Sequence, residues 1–560
     1  MKAKVGLGAF FALAVGAASA APAFNRLDVD ASSLPDGSLV GGLLQTRVAE
    51  RCGVTTGARV FAVRYRLDPG IGGETARVSV SSNGAEIAAG RVRGLVAGTG
   101  VLLKRLRFEI GGFSVEPGES VFAPAKEFRS AYTCRHFQNG YMDMPAEAYC
   151  RYAEDLALDG INGFQFQVDL DVGDLRAESA DYRAEFDRKT KVIVDRIREL
   201  DCNLTVFGGN NQLPRDSPEE LRGVPNSDPK RGNLGFNGCP AKPEAERRML
   251  EQTRQALPRL AVLKPDYVMY WPFDEGGCEC EVCRPWGGKG FIRLSEKLHA
   301  INRSVRPDAK VILSTWVFHD DDFEGLWKHL ETCGGIDYVL CDAHGDFPKY
   351  PLEHKLPGRT RLITFPEISM WGRDPWGGFG ATMMPRRFER LFRQAERVSN
   401  GFAYYSEGLY EDVNKAIVTA FNVDPSRSVD GILADYARAH FPGSDPDDFV
   451  RLALLLEETH PICGKGRSLK NLDAARVHEA EAIAQRMDEQ ILPTMRKSWR
   501  WRQVLLRTRI DCRMAEEQRR DPESARPHFE ELTDIYHVRR QLDLFRKGRH
   551  KGYTCPHFGK

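Results

Sequence analysis

The stretch Asp266-Tyr-Val-Met-Tyr-Trp-Pro-Phe-Asp-Glu-Gly-Gly-Cys-Glu-Cys-Glu-Val-Cys283 joins a strand-like run to acidic and sulfur-bearing side chains. Its first part, residues 267–273, is rich in aromatic and branched side chains, which predicts a buried β-strand. The run stops on two adjacent carboxylates, Asp274 and Glu275, and the chain then turns on two glycines. Because α/β barrels keep their active sites at the carboxyl ends of their strands, this ending predicts a functional loop on a barrel. The alternative interpretation is an acidic surface turn.

Strand and helix patterns alternate on both sides of this stretch. The predicted strands cover residues 127–137, 163–168, 203–207, 267–273, 310–316, 338–344, 361–367 and 401–407. Segments with apolar residues at helical spacing separate them. Eight such units across about 300 residues predict an α/β fold of the (β/α)8 TIM-barrel type. An open doubly wound sheet is disfavoured, because no Gly-rich dinucleotide fingerprint follows any of these strands.

The rest of the chain is predicted to form smaller units around the barrel. The 560 residues exceed one ordinary compact domain. Alternating strands at 60–67 and 76–80, followed by a helix at 93–106, predict a small α+β domain. Strand patterns cease after residue 423, and only helix patterns follow. The predicted boundaries are a signal peptide at 1–20, an N-terminal α+β domain at 21–124, the barrel at 125–425 and a C-terminal helical domain at 426–560.

The N-terminus has the pattern of an export signal. Lys2 and Lys4 precede an apolar run from Val5 to Val15, and Ala18-Ser-Ala20 matches a cleavage site. The run is shorter than the ~20 residues of a membrane span, which favours cleavage over an anchor. We therefore expect a secreted or periplasmic protein. The net charge of +1 argues against a nucleic-acid partner, and the oligomeric state stays open.

Polar and aromatic side chains recur where the predicted strands end. Asp274 and Glu275 end the fourth strand and Glu367 ends the seventh, so these three are the candidate catalytic residues. The candidate substrate-binding residues are Arg135, His136, Asn139, Trp316, Asp342, His344, Trp371, Tyr405 and Glu407. Aromatic faces stack on sugar rings, and carboxylates accept hydrogen bonds from sugar hydroxyls. The pattern therefore predicts a carbohydrate substrate and hydrolysis of a glycosidic bond by two carboxylates.

Several stretches resemble known glycoside hydrolases. Arg91-Val-Arg-Gly-Leu-Val-Ala-Gly-Thr-Gly-Val-Leu-Leu103 resembles the small domain before the barrel in family 20 β-N-acetylhexosaminidases and family 67 α-glucuronidases. Residues 128–137 resemble the first barrel strand of the hexosaminidases, and Phe273-Asp-Glu-Gly276 looks like their Asp-Glu pair. Residues 404–414 and the helical tail are similar to the α-glucuronidase-like architecture.

The resemblance implies roles for the two acidic residues. Glu275 is expected to protonate the glycosidic oxygen, and Asp274 is expected to orient a substrate acetamido group that acts as the nucleophile. Pro272-Phe273 replaces the two glycines of the hexosaminidases. If the substrate has no acetamido group, Glu367 becomes the expected nucleophile or base. The alternatives are an α-glucuronidase-like hydrolase, a non-catalytic carbohydrate-binding protein on a degenerate barrel, and a metal-dependent hydrolase that uses His136, His344 and Asp342.

The thirteen cysteines include three that are crowded into one turn, Cys278, Cys280 and Cys283. These thiols can hold a structural zinc ion if another part of the chain supplies a fourth ligand, such as Cys341 or His344. They can equally form a disulfide and leave one free thiol, since the paired second knuckle of the fuller zinc patterns is missing. In both cases the cluster shapes the loop beside Glu275, and no cofactor is expected in the reaction itself.

Overall fold

The first part of the chain forms a mixed sheet with helices packed on it. The computed structural model describes residues 23–34, 37–53, 56–133, 140–166, 180–214, 217–227, 235–343, 345–367, 381–406, 408–460, 472–519 and 522–539. The first elements are β1 (Arg26–Asp30), α1 (Gly37–Cys52), β2 (Val60–Leu67), β3 (Ala76–Val80), β4 (Gly84–Ala89), α2 (Val92–Arg105), β5 (Arg107–Glu109), β6 (Gly112–Ser114) and β7 (Gly118–Phe122). The sheet order is β1-β2-β4-β3-β7, with the predicted β3–β4 hairpin antiparallel.

A closed barrel of eight parallel strands follows. Its elements are β8 (Phe128–Thr133), α3 (Gly140–Asp143), α4 (Ala146–Leu158), β9 (Gly163–Phe166), α5 (Ala180–Glu199), β10 (Asn203–Gly209), α6 (Pro243–Leu263), β11 (Tyr267–Tyr270), α7 (Gly290–Arg303), β12 (Lys310–Ser314), α8 (Asp320–Leu330), β13 (Tyr338–Ala343), α9 (Lys349–Glu353), β14 (Arg361–Pro366), α10 (Pro385–Ala395) and β15 (Ser399–Ser406). Strand β15 pairs with β8 and closes the ring. The predicted (β/α)8 barrel is confirmed.

The fourth barrel strand is shorter than the sequence pattern predicts. We expected it to run to Phe273, but β11 ends at Tyr270. Pro272 has no N–H to donate to a neighbouring strand. The N–H of Phe273 donates instead to the side-chain oxygen of Asn211, at 2.7 Å. The chain therefore leaves the barrel three residues early and starts the acidic loop there.

Large side chains fill the barrel in layers. Phe128, Tyr267 and Tyr338 form the layer at the amino end, with ring centroids 5.1–6.0 Å apart. Met269, Ile312, Leu340, Ile363 and Ala403 lie above them in the same buried cluster. Such packing is typical of TIM barrels, whose interior is a solid core rather than a pore. These layers therefore fill the barrel interior below its carboxyl end.

Only helices follow the barrel among the residues that the structure describes. They are α11 (Asp412–Val423), α12 (Val429–His440), α13 (Pro446–Glu458), α14 (Ala474–Gln490), α15 (Trp499–Glu517) and α16 (Arg526–Ile535). None of the described helices combines the length and the apolar character that crossing a bilayer requires. The predicted signal peptide and the basic end of the chain lie outside the described residues.

Buried ion pairs join the three parts of the chain. Arg47 of α1 contacts Glu154 and Asp155 of α4, with N–O distances of 3.0 and 2.7 Å. Arg500 of α15 contacts Asp155 at 2.9 Å and Asp412 at 2.8 Å. Burial alone raises the pKa of Asp155, but the charges of Arg47 and Arg500 outweigh it and hold the pKa below its ordinary value. Removing one charged side chain from such a buried network is expected to lower the free energy of unfolding, because its partner is left charged and unpaired.

Helix α2 lies so close to α4 that one position tolerates no side chain. A Cβ on Gly100 lies 1.8 Å from the carbonyl oxygen of Leu158, which is backbone and cannot move aside. Gly100→Ala is expected to lower the free energy of unfolding by about 1–3 kcal/mol, as overpacking does. Gly42→Ala in α1 is the control, since nothing lies within 4 Å of its Cβ. Denaturant midpoints that fall equally, or not at all, in the two variants contradict this close contact.

Candidate active site

Aromatic rings form the floor of the barrel at the carboxyl ends of its strands. Trp271 lies 5.2 Å from Trp316 and 4.9 Å from Phe365, measured between ring centroids. Tyr132 lies 5.5 Å from Tyr405 and 6.1 Å from Phe365, so the rings form one continuous group. The floor arises because strands β8, β11, β12, β14 and β15 each place an inward-facing aromatic residue near or just beyond their carboxyl end. All five rings are at most 9% exposed, so the floor closes the barrel core at this end.

Two carboxylates face the barrel interior because side chains alternate between the two faces of a strand. Tyr338 and Leu340 of β13 face the barrel core, so Asp342 shares their face. Ile363 and Phe365 of β14 do the same for Glu367. Both carboxylates are largely buried, with exposures of 8% for Asp342 and 5% for Glu367. Asp342 is the penultimate residue of β13 and Glu367 directly follows β14, so both lie at the carboxyl ends of their strands.

The backbone around Glu367 is held from three sides. Its N–H donates to the carbonyl of Ala343 at 3.3 Å, and a parallel bridge links it to Tyr405. Arg387 donates a hydrogen bond from Nη1 to its carbonyl at 3.0 Å. These contacts extend the sheet by one residue beyond β14. The position of Glu367 is therefore set by neighbouring strands rather than by a loop, which favours precise placement of its side chain.

Asp274 is tied to the aromatic floor. The indole Nε1 of Trp316 donates to Asp274 Oδ1 at 2.9 Å. Asp274 is partly exposed, whereas Trp316 is 5% exposed. An indole N–H can only donate, so this contact orients the carboxylate beside the ring. The structure thus connects two residues that the sequence predicted separately, at the ends of the fourth and fifth strands.

Glu275 is buried and anchored by backbone donors. Its Oε1 atom accepts the N–H of Phe236 at 2.6 Å and the N–H of Asn237 at 3.2 Å. Its other oxygen, Oε2, has no hydrogen-bond partner among the residues that the structure describes. One half of the carboxylate therefore fixes the side chain.

Two asparagines connect the loops after β10 and β11, and sequence reasoning missed both. The side-chain amide of Asn211 donates to the side-chain oxygen of Asn237, and the Asn237 amide donates to the carbonyl of Gly277. Both side chains are at most 4% exposed. The only sequence signal was their position in a long polar loop. Such a loop is often functional, but its sequence does not show which residues the two side chains contact. Together they hold the segment that presents the two amides to Glu275.

The turn after Glu275 depends on glycine. Gly276 has φ +82° and Gly277 has φ +101°, a region that other residues rarely adopt. A Cβ on Gly277 lies 2.2 Å from the ring of Trp286. Val317, on the neighbouring loop, has φ +55°, which is unusual for a β-branched residue. Backbone strain of this kind collects at functional sites, and it lies here beside the acidic loop.

A polar cleft of about 250 Å³ opens next to this turn. Its walls carry mainly charged and hydrogen-bonding groups, together with the indole ring of Trp286. The residues that line it include Asn226, Gly276, Glu279, Arg284, His319 and Asp321. The cleft adds room for a polar ligand beside the loop of Asp274 and Glu275.

A buried ion pair supports the end of the eighth strand. Glu411, directly before α11, and Lys415, in the first turn of α11, are fully buried, with an N–O distance of 3.4 Å. Burial raises the pKa of the Glu411 carboxyl and lowers the pKa of the Lys415 ammonium. Lys415 also donates to the hydroxyls of Tyr141 and Tyr152, each at 2.9 Å, and to the carbonyl of Gly408 at 2.6 Å. The network holds the chain directly after β15.

Six predicted substrate-binding residues lie outside the described residues: Arg135, His136, Asn139, His344, Trp371 and Glu407. Among the described ones, Trp316, Tyr405 and Asp342 lie at the carboxyl end of the barrel with Glu367. The three cysteines of the turn meet a fourth thiol, that of Cys239.

Comparisons with known proteins agree with this architecture. No protein-family model matches the sequence, and a search of curated proteins finds no match. Solved structures resemble the chain at low sequence identity, and three glycoside hydrolases are among them. A family GH138 enzyme that targets pectin rhamnogalacturonan II has a TM-score of 0.54 at 11% identity, covering 93% of this chain and 72% of that one. A family 89 glycoside hydrolase from Clostridium perfringens, in complex with GlcNAc-α-1,4-galactose, has a TM-score of 0.59 at 13% identity, covering 92% and 63%.

A family GH115 4-O-methyl-α-glucuronidase has a TM-score of 0.55 at 9% identity, covering 94% of this chain and 77% of that one. The fold is that of barrel glycoside hydrolases. The chain spans less than two thirds of the length of the family 89 enzyme. At these identities the likeness concerns the fold, and at that level the predicted resemblance to barrel glycoside hydrolases is confirmed.

Proposed function

We propose that this protein is an exported glycoside hydrolase that removes terminal sugars from oligo- or polysaccharides. The observation that carries the proposal is the group of carboxylates, Asp274, Asp342 and Glu367, around an aromatic floor at the carboxyl end of the barrel. Rings stack on the apolar face of a sugar, and carboxylates accept hydrogen bonds from its hydroxyl groups. The solved glycoside hydrolases with this fold support the same class of reaction.

Each candidate catalytic residue receives a role. Glu275, anchored through Oε1, protonates the leaving glycosidic oxygen from Oε2. Asp274, oriented by Trp316, binds the sugar next to the bond that breaks. Glu367 attacks the anomeric carbon or activates a water molecule for that attack. When the substrate carries an acetamido group, that group takes over the attack, and Asp274 positions it.

A substrate panel tests the proposal. The purified protein is incubated with chromogenic α- and β-N-acetylhexosaminides, α-glucuronides and pectic oligosaccharides, and released sugar is measured. We expect cleavage of at least one terminal sugar with no added cofactor. If calorimetry shows that these glycans bind but no cleavage occurs at any pH, the protein is instead a carbohydrate-binding protein on a degenerate barrel.

Removing the indole donor of Trp316 tests whether Asp274 belongs to the site. Trp316→Phe keeps a ring in the floor but loses the N–H that donates to Asp274. A hydrogen bond to a charged group contributes about 1.5–3 kcal/mol, so kcat/KM is expected to fall roughly tenfold to a hundredfold. Trp327→Phe is the control, since its indole donates to the carbonyl of His354 outside the barrel. Equal kinetics for the two variants remove Asp274 from the proposed site.

A further inference from the structure

Four thiols converge where the loops after β10 and β11 meet. Cys278, Cys280 and Cys283 come from the turn that follows Glu275, and Cys239 comes from the loop before α6. All four sulfur atoms lie within 4.8 Å of one another. Cys239, Cys278 and Cys283 are at most 1% exposed. The chain thus brings together a fourth sulfur that is about forty residues away in sequence.

The distances between these sulfur atoms match a tetrahedral metal site. The Sγ of Cys239 lies 3.8 Å from that of Cys280 and 3.9 Å from that of Cys283. Four thiolates at ~2.3 Å from a central zinc ion form a tetrahedron with edges of ~3.8 Å. A disulfide instead brings two sulfur atoms to ~2.05 Å. The cluster therefore has the spacing of metal ligands, not of bonded pairs.

We propose a structural zinc centre in this protein, with four thiolate ligands supplied by Cys239, Cys278, Cys280 and Cys283. Four protein ligands fill a tetrahedron and leave no open position, which is the mark of a structural rather than a catalytic site. The candidate fourth ligand Cys341 has no part in the cluster. It lies within β13, where its thiol contacts the carbonyl of Asp342.

The surroundings of the cluster fit this role. The N–H of Val224 points at Sγ of Cys278 at 3.2 Å, as donors around thiolate ligands do. The N–H groups of Cys283 and Arg284 both donate to the carbonyl of Cys280, at 3.0 Å. These contacts curl the Cys280–Cys283 segment into the short turn that places two sulfurs on one ion.

The zinc centre has a consequence for the acidic loop. Cys239 follows Asn237 by two residues, and the amides of Phe236 and Asn237 are those that hold Glu275. Cys278 follows Glu275 by three residues. An ion bound between them ties the segment that donates these hydrogen bonds to the segment that accepts them. Zinc thereby positions Glu275 without contacting it.

Metal analysis of the full-length protein tests the centre. The protein is purified without metal-affinity resin or chelator, and its metals are measured by inductively coupled plasma mass spectrometry. We expect ~1 zinc ion per chain, since four thiolates fill one tetrahedral site. Cys239→Ser is expected to lower the zinc content at least tenfold. Cys52→Ser is the matched control, because Cys52 is a buried cysteine in α1 of the N-terminal sheet region, and it should retain the metal.

Hydrogen exchange on the wild-type protein tests the same inference without a variant. Removing zinc with a chelator should speed exchange in peptides that contain Phe236, Asn237 and residues 273–283. Exchange in β2–β4 should stay unchanged, and re-adding zinc should restore protection. Cobalt substitution should give the intense visible bands of a tetrahedral thiolate site.

Three outcomes overturn the proposal. The first is zinc-free protein in which all four thiols react with a thiol reagent. The second is recovery of cluster peptides linked by disulfides. The third is iron in place of zinc, since tetrahedral thiolate sites accept either metal. None of these outcomes depends on glycan cleavage, so they are separate from the fate of the proposed activity.

Discussion

Replacing Glu275 by glutamine is expected to lower kcat/KM on a natural glycan by about 10²–10⁴-fold, the usual contribution of a positioned general acid. Glutamine keeps the side-chain oxygen that accepts the amides of Phe236 and Asn237, so the loop should keep its structure. What is lost is the proton for the departing sugar oxygen. The fall therefore measures chemistry rather than folding.

Substrates with different leaving groups test whether Glu275 acts as the general acid. The phenolate of an activated aryl glycoside leaves without being protonated. The Glu275→Gln variant should therefore cleave the glycosidic bond of such a substrate at close to the wild-type rate. Glu281→Gln is the control, since Glu281 is an exposed carboxylate on the same loop, and it should behave as wild type. Equal losses on natural and activated substrates contradict a general-acid role for Glu275. Wild-type turnover of natural glycans by the variant removes it from the mechanism altogether.

Replacing Glu367 by alanine is expected to lower kcat on the order of 10³-fold or more, on natural and activated substrates alike. The group that attacks the anomeric carbon, or activates the attacking water, is needed whatever the leaving group is. Glu367 is buried at 5% exposure, so alanine leaves a small cavity at that place. Glu353→Ala, at the exposed end of α9, is the matched control and should keep full activity.

Azide tests the geometry of the Glu367 variant. The small anion can enter the cavity and attack the anomeric carbon from the face where the carboxylate stood. We expect recovered activity and a glycosyl azide of inverted configuration, identified by NMR. A glycosyl azide of retained configuration places Glu367 on the leaving-group face and exchanges its role with that of Glu275. Unchanged activity in Glu367→Ala leaves an acetamido group of the substrate as the nucleophile.

Much of the barrel was predictable because its signals are local. Strands such as Tyr338–Ala343 and Arg361–Pro366 alternate or run apolar over a few residues, and an acidic residue lies within one position of the end of each. The same alternation fixes which side chains face inward, so Asp342 and Glu367 could be predicted at the mouth from parity alone. The end of the fourth strand was predicted wrongly, because Asn211, far away in sequence, takes the N–H of Phe273.

Sequence by itself determined the order of strands and helices, the closed parallel architecture and the strand ends that carry carboxylates. Only the tertiary structure brought Cys239 to the other three thiols, and Phe236 and Asn237 to Glu275. The physical reason is the range of the interactions. Backbone periodicity acts between neighbours in the chain, whereas these contacts join two irregular loops about forty residues apart, whose path depends on the packing of both against the barrel.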